Sequence, residues 1–207
     1  KKESFLSNKK LDKNYKKVLD GKDINYYSTN WNNKFVRYGN WLHRKRDEKY
    51  FLNHKVMIRQ IGAVPVATFD DQGFYTLNTI YNLVSVRDYS PKFFLGIINS
   101  KFGKWFWMLK NSDFKSLFPK IKKTQIESIP ICIINFSNPT EKAQHDKIVT
   151  LVEQMLAAHK ALSTVQSPAE KEKLERQIEI TDKSIDSLVY ELYGLNEEEI
   201  KIVEGSK

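Results

Sequence analysis

The chain has 207 residues, with 34 lysines and arginines against 25 aspartates and glutamates, for a formal net charge of +9. That length suffices for a real core, as one large domain or two small ones. A single cysteine, Cys132, excludes an internal disulfide and any multi-cysteine zinc site.

No apolar run approaches the roughly 18 to 20 residues of a membrane span, and the Lys-rich start KKESFLSNKK lacks the apolar centre of a signal peptide. A cytoplasmic, reducing setting with no membrane partner is the expectation. The absence of an initiator Met suggests a piece of something longer. The charge is uneven: residues 1–130 carry 25 Lys and Arg against 11 Asp and Glu, a net +14, while residues 131–207 carry 9 against 14, a net −5. The first part is expected to meet a polyanion, unless its lysines merely keep a β-rich domain soluble.

Residues 1–17 form a polar arm. Leu19 to Ile24 suggests a short strand and a turn at Gly21, residues 25–33 are aromatic and amide-rich, and Lys34 to Tyr38 is another strand ending near Arg37. Trp41 to Lys49, WLHRKRDEK, is the densest basic cluster. Arg37, Arg44, Lys45 and Arg46 are candidates for phosphate contact, the alternative for the cluster being a solvated helix face.

Lys55 to Val86 is expected to supply three strands, turned at Asp70-Asp71-Gln72-Gly73, with Phe74 to Val86 running as one long strand. Arg59, Gln60, Asn78 and Thr79 lie among its apolar residues. Arg, Gln and Asn carry the paired donors and acceptors that match base edges, so these four are candidates for base readout. Alternation puts Arg59 and Gln60 on opposite faces.

Ser90-Pro91 predicts a helix start, and the helix through Phe93 and Ile98 is expected to be buried and interrupted at Asn99-Ser100. Residues 110–124 read as an anchored basic loop projecting Lys115, Lys120, Lys122 and Lys123, further candidates for phosphate contact. Ile126 to Ile134 is an edge strand or an extended connection, because Pro130 interrupts it. Asn138-Pro139-Thr140-Glu141 and Ser167-Pro168-Ala169-Glu170 each predict a capped helix. The first carries Ile148, Val152, Met155, His159 and Leu162 on one face; the second carries Leu174, Ile178, Thr181, Ile185, Leu188 and Leu192 at a coiled-coil spacing. The short link predicts an antiparallel hairpin, closed by Gly194.

No catalytic or metal-binding constellation stands out. His43, His54, His145 and His159 are scattered, Asp70-Asp71 reads first as a turn, and no Gly-rich phosphate loop or G-x-S-x-G is present. The segment is expected to bind rather than catalyse.

The ordered stretches KVLDGKDINYY, FVRYGNWLHRKRDEKYF, KVMIRQIG, YTLNTIYNL, FFLGIINSKF, FPKIKKTQIESIPI and LVYELYGLNEEEIKIVEG resemble the TaqI-like C-terminal specificity domain across nearly the whole chain. Such domains end Type IIG restriction-modification enzymes and related DNA adenine-N6 methyltransferases, and are similar to the target recognition domains of Type I specificity subunits. The resemblance implies an α+β fold: a β-rich mixed α/β target recognition domain at residues 1–135, then a helical, coiled-coil-like hairpin at residues 136–207 serving as spacer or interaction region. It implies double-stranded DNA as partner, together with a methyltransferase domain of the same or a partner chain; self-association through the hairpin is a further option. It implies framework roles for Asn99-Ser100, Pro119-Lys120-Ile121 and Tyr193-Gly194-Leu195. No cofactor is expected in this segment, and S-adenosylmethionine and Mg2+ are expected in the full-length enzyme. The rival reading is a coiled-coil interaction scaffold, or an assembly module without its own DNA readout.

Overall fold

The computed structural model describes residues 5–84, 88–111 and 120–205. In chain order its first elements are β1 (Leu6–Ser7), β2 (Tyr15–Leu19), a 3-10 turn (Gly21–Asp23), β3 (Ile24–Asn25), β4 (Ser28–Thr29), β5 (Phe35–Arg37) and α1 (Lys49–Leu52). Then come β6 (Lys55–Arg59), β7 (Ala67–Asp70), β8 (Tyr75–Thr76), β9 (Ile80–Val84), α2 (Pro91–Asn99) and α3 (Lys101–Lys110). The last are α4 (Lys123–Ile126), α5 (Pro139–Leu162), α6 (Pro168–Tyr193) and α7 (Glu197–Glu204). The α+β class expected from the sequence is the one observed.

Strand β6 is central. It pairs antiparallel with β7 and β9, Lys55 facing Asp70 on one side and Val84 on the other. Its alternation serves two cores: Val56 and Ile58 face the helices, while Met57 faces Leu19, Ile24, Phe74 and Ile80. At the turn after β7, the Asp70 carboxylate accepts the N–H groups of Gln72 and Phe74, both at 2.9 Å, and pairs with the buried Lys55 ammonium. Gly73 completes the turn at φ 72°.

The expected long strand from Phe74 to Val86 is corrected. Tyr75 and Thr76 leave the hairpin and pair in parallel with Val18 and Leu19, joining a four-stranded sheet of order β1-β5-β2-β8. Leu77 to Thr79 then turn the chain, with Ile80 N–H bonding Leu77 C=O at 3.2 Å, before β9 rejoins β6. The backbone N–H and C=O groups of Tyr75 and Thr76 thereby satisfy a different neighbour from those of Ile80 to Val84.

Ser90 caps α2 by accepting from Lys92 N–H (3.3 Å), and Ser100 caps α3 by accepting from Gly103 N–H (3.1 Å). The fully buried Asn99 clamps the end of α2 to β7: its amide oxygen accepts from Ala67 N–H (3.2 Å) and its nitrogen donates to Ala67 C=O (3.0 Å). Residues between α4 and α5 form the extended connection allowed by Pro130.

The two long helices start at Asn138 and Ser167 as expected, and Gly194 ends α6 at φ 66°. Ile148, Val152 and Met155 of α5 pack with Ile185 and Val189 of α6, and both helices pack on α2. Asp186 and Tyr190 are buried as well, because α3 and α7 cover a second side of α6. One apolar cluster joins Val56 and Phe93 to Ile134, Ile148 and Ile185, and so runs across residue 135.

Candidate nucleic-acid interface

Three stretches far apart in sequence meet at one end of the β6 sheet. Arg59 is the last residue of β6; the next residue, Gln60, donates its N–H to Thr79 C=O (2.9 Å) and accepts from Ile121 N–H (2.7 Å). Ile61 bridges to Lys120. Backbone pairing therefore sets Arg59 and Gln60 beside Asn78 and Thr79 on one side and Lys120 to Lys122 on the other.

The half-buried Arg59 side chain lies against two glycines. A Cβ at Gly21 would come within 3.4 Å of its Cγ, and one at Gly62 within 3.1 Å of a guanidinium nitrogen. Its Nε is buried without a hydrogen-bond partner. The fold thus leaves one arginine donor unsatisfied at this end of the sheet.

The basic cluster forms a loop rather than a helix face. The Tyr38 hydroxyl donates to the Arg46 carbonyl and closes the loop, and Lys45 Nζ donates to Asn40 Oδ1 at 3.0 Å. Arg44, Lys45 and Arg46 are exposed and rim a hollow floored by Tyr38, Leu42, Phe51 and Tyr75. The floor is an aromatic stack, with Phe51 and Tyr75 centroids 4.6 Å apart at 18° and Tyr38 edge-on to Tyr75 at 4.7 Å. Burial and the nearby Glu48 carboxylate keep the Tyr75 hydroxyl protonated well beyond neutral pH. Asn78, exposed, lines the same hollow and so connects the basic loop to the sheet end.

The other sequence candidates are placed as follows. Gln60 is 7% exposed. The Thr79 hydroxyl is engaged by Asp20 and Gly21. Lys120 and Lys122 are exposed, and Lys122 precedes α4 with its N–H bonded to Gln125 Oε1 (2.8 Å). Lys123 pairs with Glu127 at 2.8 Å. The half-buried Arg37 stacks on Trp41, its guanidinium carbon 4.6 Å from the ring centroid. Lys115 lies outside the described residues.

Sequence reasoning missed Asp20 as the group that holds Thr79. Asp20-Gly21-Lys22-Asp23 carries the signal, since Asp20 caps the 3-10 turn and Asp23 returns a bond to its N–H (2.8 Å). Burial raises the Asp20 carboxyl pKa, but the Thr79 hydroxyl, the Gly21 N–H and Lys34, at 3.5 Å, together bring it below the usual value.

Among the described residues no group of three or more His, Cys, Asp or Glu is placed to hold a metal ion, and no helix is long and apolar enough to cross a membrane. Comparison of the sequence with known proteins places the chain in the class of specificity domains found in restriction-modification enzymes. The model of the TaqI-like C-terminal specificity domain matches residues 16–131, more than half of the chain, and the chain belongs to that family. The matched stretch stops short of α5, so the last of the seven ordered motifs lies beyond it.

Over 133 residues the chain is 29% identical to the Type II restriction enzyme and methyltransferase RM.Eco57I of Escherichia coli. The alignment covers 63% of this chain and 13% of that protein, so the chain spans a small part of its relative's length.

Proposed function

We propose that this chain reads a sequence in double-stranded DNA for a Type IIG-like restriction-modification enzyme, directing adenine methylation and nearby cleavage by domains outside the chain. The observation that carries this reading is the meeting of Arg59, Asn78, Lys120 and Lys122 at one sheet end, continuous through Asn78 with Arg44 to Arg46. Side chains able to address base edges are there flanked by cations able to neutralise phosphates, the division of labour that sequence reading in a groove requires.

Arg59 and Asn78 are assigned to the bases. Arg44, Lys45, Arg46, Lys120 and Lys122 are assigned to the backbone, with Arg37, Lys115 and Lys123 as further contributors. Gln60, buried, and Thr79, bonded to Asp20, hold the readers in place. In the whole enzyme, at work in the cytoplasm, S-adenosylmethionine and Mg2+ would serve the other domains. The outer half of the α5–α6 hairpin, where Ile180 is 65% exposed, offers the methyltransferase domain a surface.

Recovery of bound duplexes from a randomised pool tests the reading. Enrichment of one sequence pattern is expected. Arg59→Ala should relax one base position at a cost of about 1–3 kcal/mol, whereas Lys122→Ala should weaken binding to all sequences alike. A pool that is not enriched, or two variants with the same effect, would contradict the assignment.

A further inference from the structure

Of the four tryptophans, Trp107 is buried, Trp31 and Trp105 are half-buried, and Trp41 is 44% exposed. Exposure of a large ring usually goes with freedom of movement, but this ring is held. Its indole N–H donates to Arg37 C=O at 3.2 Å, and the Arg37 guanidinium carbon lies 4.6 Å from its centroid. It also rests on Gly39 so closely that a Cβ there would meet the ring at 2.3 Å, which accounts for glycine at that position.

The backbone beneath it is fixed too. Leu42 N–H bonds Gly39 C=O at 3.2 Å, Lys45 Nζ bonds Asn40 Oδ1, and the Tyr38 hydroxyl ties the loop shut at Arg46. Arg44, Lys45 and Arg46 follow within five residues of the ring, all exposed. Of the acids that come next, Asp47 is drawn off by Lys49 at 3.2 Å.

A ring that is held in place yet 44% exposed, beside several cations, matches the chemistry of an unpaired nucleotide, whose base stacks while its phosphates are neutralised. A base inside a duplex has both faces covered by its neighbours, so a lone ring of this kind addresses a base that has left the stack. We infer that the Arg37–Arg46 loop is a binding site for unpaired DNA, with one base stacked on Trp41 and the flanking phosphates held by Arg44 to Arg46. This goes beyond duplex reading, which assigns those cations to phosphates and gives Trp41 no part.

The test uses the whole chain, a short single-stranded oligothymidylate and a duplex of equal length, with tryptophan emission and affinity as readouts. Quenching by the single strand is expected in the native sequence. Trp41→Phe should abolish the quenching and keep most of the affinity. Trp41→Ala should weaken single-strand binding by about fivefold or more and leave duplex binding unchanged.

Unchanged single-strand affinity in Trp41→Ala, or an equal loss on single strand and duplex, would overturn the inference. Tighter binding of oligouridylate than of oligothymidylate would overturn the assignment to DNA. Should Trp41→Ala fail to fold, Trp41→Phe still decides, because quenching that survives in it would place the stacked base elsewhere. Absence of duplex binding alongside Trp41-dependent single-strand binding would sink the proposed function and leave this inference standing.

Discussion

The Thr79 hydroxyl donates to Asp20 Oδ1 at 2.5 Å, joining residues 59 positions apart, and accepts the Gly21 N–H at 2.8 Å. This contact fastens the end of β2 to the turn before β9, at the place where Arg59 emerges. Gly21 leaves no slack there, since a Cβ would lie 2.9 Å from Thr79 O. Because the folded-state pKa of Asp20 is depressed, its stabilisation is complete above the unfolded value near 3.8 and is lost as pH falls through the folded value. Thr79→Val is therefore expected to cost about 1–2 kcal/mol near neutrality. The difference from the native sequence should shrink as acid protonates the Asp20 carboxylate, and urea titrations near neutrality and in acid check it.

Gly96 of α2 faces α5, and a Cβ there would lie 2.8 Å from Ile148 Cγ2 and 3.1 Å from Val152 Cγ2. Alanine would gain up to about 1 kcal/mol of helix propensity, while overpacking costs about 1–3 kcal/mol. Overpacking is expected to win, so Gly96→Ala should lower the denaturation midpoint. Because α2, α5 and α6 share one apolar cluster, circular dichroism and tryptophan fluorescence should report the same transition. A raised midpoint would contradict the packing argument.

Burial raises the Asp186 carboxyl pKa to about 6, Asp182 adds to the rise, and the bond from Lys101 N–H (2.8 Å) and the lysines at 101 and 104 oppose it. A folded-state pKa raised above 3.8 means that the native state keeps a proton the unfolded chain has lost. Stability therefore falls as pH rises from about 4 to about 6 and stays reduced above that. Asp186→Asn keeps an oxygen to accept from Lys101 and removes the ionisation. It should gain roughly 2–3 kcal/mol near neutrality and match the native chain below about pH 4, by chemical denaturation across that window.

Lys55 and Asp70 are both essentially excluded from solvent. Burial lowers the Lys55 pKa, and Asp70 counteracts it. Lys55→Ala would leave the Asp70 carboxylate buried without its cation, at an expected cost of about 3–5 kcal/mol. Lys55→Met combined with Asp70→Asn should recover part of that, because the single Asn oxygen still accepts from one of the two turn N–H groups, those of Gln72 and Phe74. Failure of the double variant to recover stability would show that the charge pair itself is needed.

Local signals were the most legible part of the sequence. Ser90-Pro91, Asn138-Pro139, Ser167-Pro168 and Gly194 each bound a helix where expected, because a cap is decided within a few residues. The departure of Tyr75 and Thr76 to pair with β2 was not legible, since a parallel pairing between distant strands leaves no mark on either segment. The burial of Asp186 and Tyr190 was likewise hidden, because a coiled-coil spacing names one face of α6 and not the second face that α3 and α7 cover. At the sheet end, alternation identified Arg59 and Gln60 as neighbours on opposite faces. It gave no means to tell the half-buried arginine from the buried glutamine, or to see that Thr79 already had a partner.

Duplex DNA reading by this chain is tested most directly by its affinity for a duplex as a function of salt. Each phosphate neutralised contributes about −0.9 to the slope of log affinity against log salt, so contacts by Arg44, Lys45, Arg46, Lys120 and Lys122 predict a slope of about −4 or steeper. An affinity that does not change with salt, or no measurable duplex binding at low salt, would contradict it.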